Sequence, residues 1–384
     1  MTDPNDSGKQ EKERVEPEQV VLTSKIKTRV LDLDALGVGG EISLESNTTR
    51  NESSTNRTST TNLSKRRYMD RRDDIRSIRA SFEAAQADDY EIKEVMARGA
   101  EAVLYRAVCG AFTFCSKSIR NGWNKWLGSS ASKGVEEKLD NVSYKTKTRH
   151  IQNEYAISQI LNEDNAMPIV RIYSLRRVRR FGIELGYDLL MEYLSGHDFG
   201  DKILGKVLPI EDKIRVIYQA VQALSFMHKK RVIHLDIKPS NFMLVSGKVK
   251  LIDFGVSVLA GHHPRAITGT GGYLSPEQVC KEMVDERSDL FALGIAFSVF
   301  LGGRPLTQPQ DELVTKHCRD EARYHLEHTE TPAVADIPAL SEMPLITEAI
   351  RSCTIMRRDK RMPSCALLLA KLRESAEKYG IVLS

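Results

Sequence analysis

The chain reads as an α+β protein on three observations. A strand-prone, half-alternating run covers Phe112-Thr113-Phe114-Cys115-Ser116-Lys117. Apolar residues recur at helical spacing from His150 to Ile157. A second apolar strand begins at Tyr187 and runs through Met191 into a turn at Ser195-Gly196. The longest apolar stretch, Leu290 to Leu301, contains Gly294 and Ser298 and is too short to span a bilayer.

Composition bounds the remaining choices. The 384 residues allow one large two-lobed domain or two ordinary ones, and 41% hydrophobic content is enough for a sizeable core. A net charge of +4, not gathered into a basic block, gives no reason to expect nucleic acid as a partner. The cysteines (Cys109, Cys115, Cys280, Cys318, Cys353 and Cys365) form no C-x-x-C and no metal-ligand spacing. Reduced, mostly buried thiols and a soluble, cytoplasmic protein are therefore expected, with the nucleus left open. The start, Met1-Thr2-Asp3-Pro4-Asn5-Asp6, is too polar for a secretory signal. Residues 1–70 are charged, then rich in Ser, Thr and Asn, and offer too little apolar surface to offset ordering entropy; a disordered polar tail is expected. Over residues 71–88, Ile75, Ile78, Phe82 and Ala85 fall at helical spacing and predict one short helix.

The most informative run is His234-Leu235-Asp236-Ile237-Lys238-Pro239-Ser240-Asn241. It sets a lysine two residues and an amide five residues after an acid. Asp253-Phe254-Gly255 follows, and then Ser275-Pro276-Glu277. This ordered set resembles the catalytic loop, metal-binding turn and closing motif of eukaryotic-type Ser/Thr protein kinases. The resemblance implies a two-lobed fold over 89–379. Its small, mainly antiparallel β lobe with one key helix covers 89–191, the hinge 192–196 and the larger helical lobe 197–379. It also implies ATP and Mg2+ as cofactors and protein substrates. Asp236 would orient or accept the proton of a substrate hydroxyl, and Lys238 would offset charge on the transferring phosphoryl group. Asn241 and Asp253 supply the hard oxygen ligands that suit magnesium. Lysine two residues after the acid is what the Ser/Thr branch carries.

The same resemblance orders the nucleotide site. Lys117 matches the strand lysine that holds the α- and β-phosphates, with Glu154 as its helical partner. Ile169 to Tyr173 resembles the next strand. The glycine-rich loop falls on Met96, Ala97, Arg98, Gly99, Ala100, Glu101, Ala102, Val103 and Leu104, where only Gly99 keeps the family glycine. Alanine resists positive φ, so weakened nucleotide binding is expected. Met191 matches the gatekeeper, the backbones of Glu192 and Leu194 the adenine contacts, and Met243 another nucleotide-site position. Asp198 matches the ribose contact or, equally, a helix N-terminal acid. Thr270 resembles the threonine that bonds the catalytic acid and lysine, and Thr268 stands where activation segments are phosphorylated. Arg361 resembles the arginine that pairs with Glu277, and 290–301 the buried central helix of the large lobe.

Three departures carry expectations of their own. Leu235 stands where many members have arginine, which removes one cation from a phosphate pocket. Ser158 replaces an inward apolar residue and is expected to loosen the helix that carries Glu154. The insertion between Lys117 and Glu154 holds Trp123 and Trp126, which either cap the small lobe or, with the tail, dock a partner. The eroded loop also supports an alternative, a pseudokinase acting as a scaffold or ATP-binding module.

Overall fold

The computed structural model describes residues 90–122, 142–161, 167–306, 332–334 and 336–383. The expected tail, the helix over 71–88 and the Trp123/Trp126 insertion lie outside them.

Five antiparallel strands form the first layer: β1 (Glu91–Arg98), β2 (Val103–Cys109), β3 (Phe112–Arg120), β4 (Ile172–Arg180) and β5 (Ile183–Glu192), in the order β1-β2-β3-β5-β4. The period-2 alternation of β3 turns Cys115 and Ile119 to the main core, while Phe114 packs with Ala107, Tyr173 and Leu190 in a second cluster. Helix α1 (Tyr144–Leu161) crosses this sheet and buries Ile151, Glu154, Ile157, Ser158 and Leu161, one face at helical spacing. Ser158 stands in that seat. It is 1% exposed, and its hydroxyl donates to Tyr155 O at 2.7 Å, so the buried oxygen is satisfied within the helix.

The second lobe is mostly helical. A short strand β6 (His197–Asp198) precedes α2 (Lys202–Val207) and α3 (Ile210–Lys229). Helix α3 carries Glu211 and Asp212 in its first turn and His228 and Lys229 in its last, matching its dipole. The small strands β7 (Val232–Ile233), β8 (Phe242–Val245), β9 (Lys248–Leu251) and β10 (Val258–Leu259) then bracket the catalytic loop. They pair as β6-β8-β9 and β7-β10. Helix α4 (Pro276–Cys280) follows, then α5 (Glu286–Phe300), α6 (Pro344–Cys353) and α7 (Cys365–Lys378). Helix α5 is buried around most of its circumference, as its apolar run requires.

Two expectations need correction here. Asp201, not Asp198, is the helix N-terminal acid: it caps α2 by accepting from Ile203 N at 2.8 Å. Cys280 is disulfide-bonded, so the thiols are not all reduced; Cys109, Cys115, Cys353 and Cys365 are free. No helix among the described residues is long and apolar enough to cross a membrane.

Candidate active site

The catalytic-loop groups converge through short hydrogen bonds. Lys238 Nζ donates to Asp236 Oδ2 at 2.7 Å and to Thr270 Oγ1 at 2.9 Å, and Thr270 Oγ1 donates to Asp236 Oδ1 at 2.6 Å. Asn241 Nδ2 donates to Asp236 O at 2.7 Å, which commits the amide nitrogen to the backbone. Its oxygen is then the group suited to a metal. Behind the loop, Asp289 from the first turn of α5 accepts from His234 N, Leu235 N and His228 Nε2 at 2.7–2.9 Å. That buried carboxylate fixes the backbone just ahead of Asp236.

The second cluster is centred on Lys117. Its Nζ lies 2.7 Å from Glu154 Oε2 and 2.9 Å from Asp253 Oδ1. Burial alone would lower the Lys117 pKa, but the Asp253 and Glu154 carboxylates outweigh it and hold the ammonium above the ordinary lysine range. Burial acts the other way on Asp253, where Lys117, aided by His234 and Lys238, holds the carboxyl below the usual range. Glu154 is 1% exposed, whereas the Asp253 side chain is 41% exposed. Asp253 also has φ 68°, a strained left-handed setting of the kind found at functional sites.

The family model for the protein kinase domain matches residues 110–371. The chain belongs to the protein kinase domain family. It is 28% identical over 251 residues to an Aurora kinase of Eremothecium gossypii, an alignment covering 64% of this chain and 62% of that protein. It is 34% identical over 148 residues to the serine/threonine-protein kinase PknB of Mycobacterium leprae, covering 37% of this chain and 24% of the relative. An Aurora kinase of Candida glabrata is 37% identical over 155 residues, covering 38% and 41%. The chain thus spans less than two thirds of the length of these relatives.

Where the nucleotide loop is expected, ahead of the residues the family model matches, the chain forms a tight hairpin. Ala97 pairs with Leu104 and Arg98 with Val103, and Gly99 N donates to Ala102 O at 2.9 Å. Met96 lies at a bulge and is exposed; Ala102 and Val103 are buried. None of residues 97–102 adopts positive φ, and a methyl on Gly99 would meet only Ala102 O at 3.5 Å. The expected conflict between alanine and positive φ is therefore absent from this hairpin. Ala100 sits at its exposed tip beside Glu101, whose carboxylate lies 2.7 Å from His150 Nδ1 on α1. That hydrogen bond holds Glu101 below the usual carboxylate range.

On β5, Met191 is buried between Cys115 and Ile172 of the neighbouring strands. The Glu192 N–H already donates to Arg171 O, while its side chain pairs with Lys250, so an adenine contact would fall to its carbonyl. Leu194 packs on the main core. Asp198 Oδ1 accepts from Gly200 N at 2.7 Å, and Asp198 pairs with Met243 across β6 and β8. Glu277 and Arg361 form the expected pair: two guanidinium–carboxylate contacts at 2.7 and 3.2 Å, with both side chains buried.

Two amides escaped the sequence reading. Asn153, beside Glu154, donates to the carbonyls of Phe254, Gly255 and Ser257 at 2.9–3.3 Å and ties α1 to the base of the activation segment. Gln278 joins the other end of that segment to the catalytic loop. Asn153 carries no sequence signal beyond its position next to Glu154, whereas Ser275-Pro276-Glu277-Gln278 has the S-x-x-Q spacing of a helix capping box, which the structure forms.

Proposed function

We propose that this chain is a serine/threonine protein kinase that transfers the γ-phosphoryl group of ATP to hydroxyls of protein substrates. The arrangement of Asp236, Lys238 and Thr270 carries this reading. Both Asp236 oxygens accept one hydrogen bond, and an ionised carboxylate offers about four lone-pair sites. Capacity remains for a substrate hydroxyl, whose proton Asp236 would orient and accept. Lys238 places a cation against the same carboxylate, where charge on the moving phosphoryl group would need to be offset.

The donor set also fits Mg-ATP. Lys117, fixed by Glu154, suits the α- and β-phosphates. Asn241, through its amide oxygen, and Asp253 are hard oxygen donors that would hold magnesium. When bound, the metal neutralises phosphate charge. A pseudokinase scaffold has no need of Asp236, Lys238 and Thr270 bonded to one another within 2.9 Å, so the enzyme reading is preferred. Dependence on ATP supports action in the cytoplasm, whereas the Cys280 disulfide gives that location no support. Serine or threonine as acceptor rests on Lys238 and on the named activity of the relatives. Incubation with γ-labelled ATP and a generic basic protein, with and without EDTA, tests the reading. Phosphoserine or phosphothreonine that vanishes with EDTA is expected; phosphotyrosine alone, or no transfer, would overturn it.

A further inference from the structure

The activation segment lacks one element of a phosphate pocket, because Leu235 stands in place of a cation. Its position is nevertheless fixed. Leu235 packs with Ile233 and Val284 in an apolar cluster joined by Val256, Val258 and Ala260 from the start of that segment. Leu235 itself has φ 64°, an unfavourable setting for a leucine. Something must hold its peptide groups in that conformation. Asp289 takes its N–H. Its carbonyl is taken by Gln278.

We propose that Gln278 is a positioning residue for phosphoryl transfer, an amide tie that seats both Asp236 and Thr270 without a phosphate. The inference rests on the kinase reading above and deepens it. Gln278 is 2% exposed. Its Nε2 donates to Leu235 O at 2.8 Å and to Thr268 O at 3.1 Å. Its Oε1 accepts from Ser275 N at 3.2 Å and from Ser275 Oγ at 3.0 Å. Two donors and two acceptor sites are the whole capacity of a side-chain amide, and all are used. The reversed amide would set an oxygen against two carbonyls, so these contacts admit one orientation.

The consequence for the chemistry is local. Leu235 precedes Asp236 directly, and Thr268 lies two residues before Thr270. One amide therefore sets the spacing between the backbone of the acid and that of the threonine bonded to it. Gly269 shows how close the approach is: its φ is +116°, and a Cβ there would lie 2.7 Å from Leu235 O and 3.3 Å from Gln278 Nε2. Nothing in the tie touches the nucleotide groups around Lys117.

The test compares wild type with Gln278→Met and Gln278→Glu. Methionine keeps the bulk and loses both donors; glutamate keeps the shape and turns an acceptor on two carbonyls. Turnover, Mg-ATP affinity and moles of nucleotide bound per mole of protein are measured together. The expected result is a fall in kcat of about tenfold or more in both variants, with affinity and binding stoichiometry unchanged. Unchanged kcat in either variant overturns the proposal. So does a kcat that falls only in proportion to bound nucleotide, since that reports lost folded protein. Absence of transfer by the wild type would instead count against the kinase reading itself.

Discussion

The Thr270 hydroxyl donates to Asp236 Oδ1 at 2.6 Å while it accepts from Lys238 Nζ at 2.9 Å. One hydroxyl thus links the activation segment to both charged groups of the catalytic loop. A hydrogen bond to a charged group contributes about 1.5–3 kcal/mol. Thr270→Val, which keeps the shape and removes the hydroxyl, should lower kcat by about tenfold or more, and Thr270→Ser should retain most of it. Steady-state kinetics decide; a valine variant with wild-type kcat would show that the contact is idle.

Phosphorylation at Thr268 should matter little. A phosphate orders a loop by meeting arginines, and Leu235 removes one of them. The contact that holds Thr268 uses its carbonyl, which Thr268→Ala leaves in place. Phosphatase treatment and Thr268→Ala should each leave most of the activity. A loss above about tenfold, roughly 1.4 kcal/mol in the barrier, would contradict this.

Restoring glycines to the nucleotide loop should not tighten ATP binding. Positions 97 and 102 lack positive φ, and Ala102 is buried in the main core. Ala97→Gly with Ala102→Gly gains no conformation the hairpin uses, and it adds about 0.5–1 kcal/mol of unfolded-chain entropy at each site. Calorimetric titration should give an ATP affinity within about threefold of wild type and a lower Tm. Markedly tighter binding would mean that nucleotide draws the loop into another shape.

Catalytic chemistry constrains residue type, which is why the acid, lysine, amide and metal-ligand positions were legible in the chain. Arg361 and Glu277 were legible only through the resemblance, and the structure shows what the pair does: each buried charge meets its counter-ion. The supporting contacts were less so. Asn153 and Gln278 act on backbone carbonyls that a distant part of the chain brings to them, and no local pattern announces such a meeting. The pairing of Glu101 with His150 depends likewise on where α1 crosses the hairpin. At Asp198 and Asp201 the sequence offers two acids within one turn, and only the helix start at Lys202 separates the cap from its neighbour. At Ser158 the bond back to Tyr155 O is invisible in an apolar pattern, because a serine's option of bonding to its own helix leaves no mark in the sequence.

Removing Arg361 should destabilise the large lobe. Its guanidinium meets Glu277 and the carbonyls of Arg287, Ile355 and Met356. Arg361→Met leaves a buried carboxylate without its cation, a loss of about 3–5 kcal/mol. Urea unfolding should show it, and a double variant Arg361→Met with Glu277→Gln should recover part. No change in the midpoint would contradict the pairing.

Alkali should weaken the fold. Burial pushes the Cys115 thiol up to about 11 and the Cys353 thiol up to about 12, from an ordinary value of 9.0. Below pH 9 both the folded and unfolded chains keep these protons, and the contribution is fully present. Above it the unfolded chain loses them first, so stability falls by about 1.4 kcal/mol per pH unit for each thiol until the folded values are reached. Urea midpoints at pH 8 and pH 10 should differ in that direction, and iodoacetamide at pH 8 should spare Cys353 in the folded protein. Equal midpoints, or ready labelling, would oppose this account.

The most direct test of the central claim is transfer of label from γ-labelled ATP to a generic protein substrate by wild type, Asp236→Asn and Asp253→Ala under one Mg2+ concentration. The account predicts transfer to serine or threonine by the wild type and a fall in kcat of about 10²-fold or more in each variant. Equal incorporation by Asp236→Asn or Asp253→Ala and the wild type would contradict it.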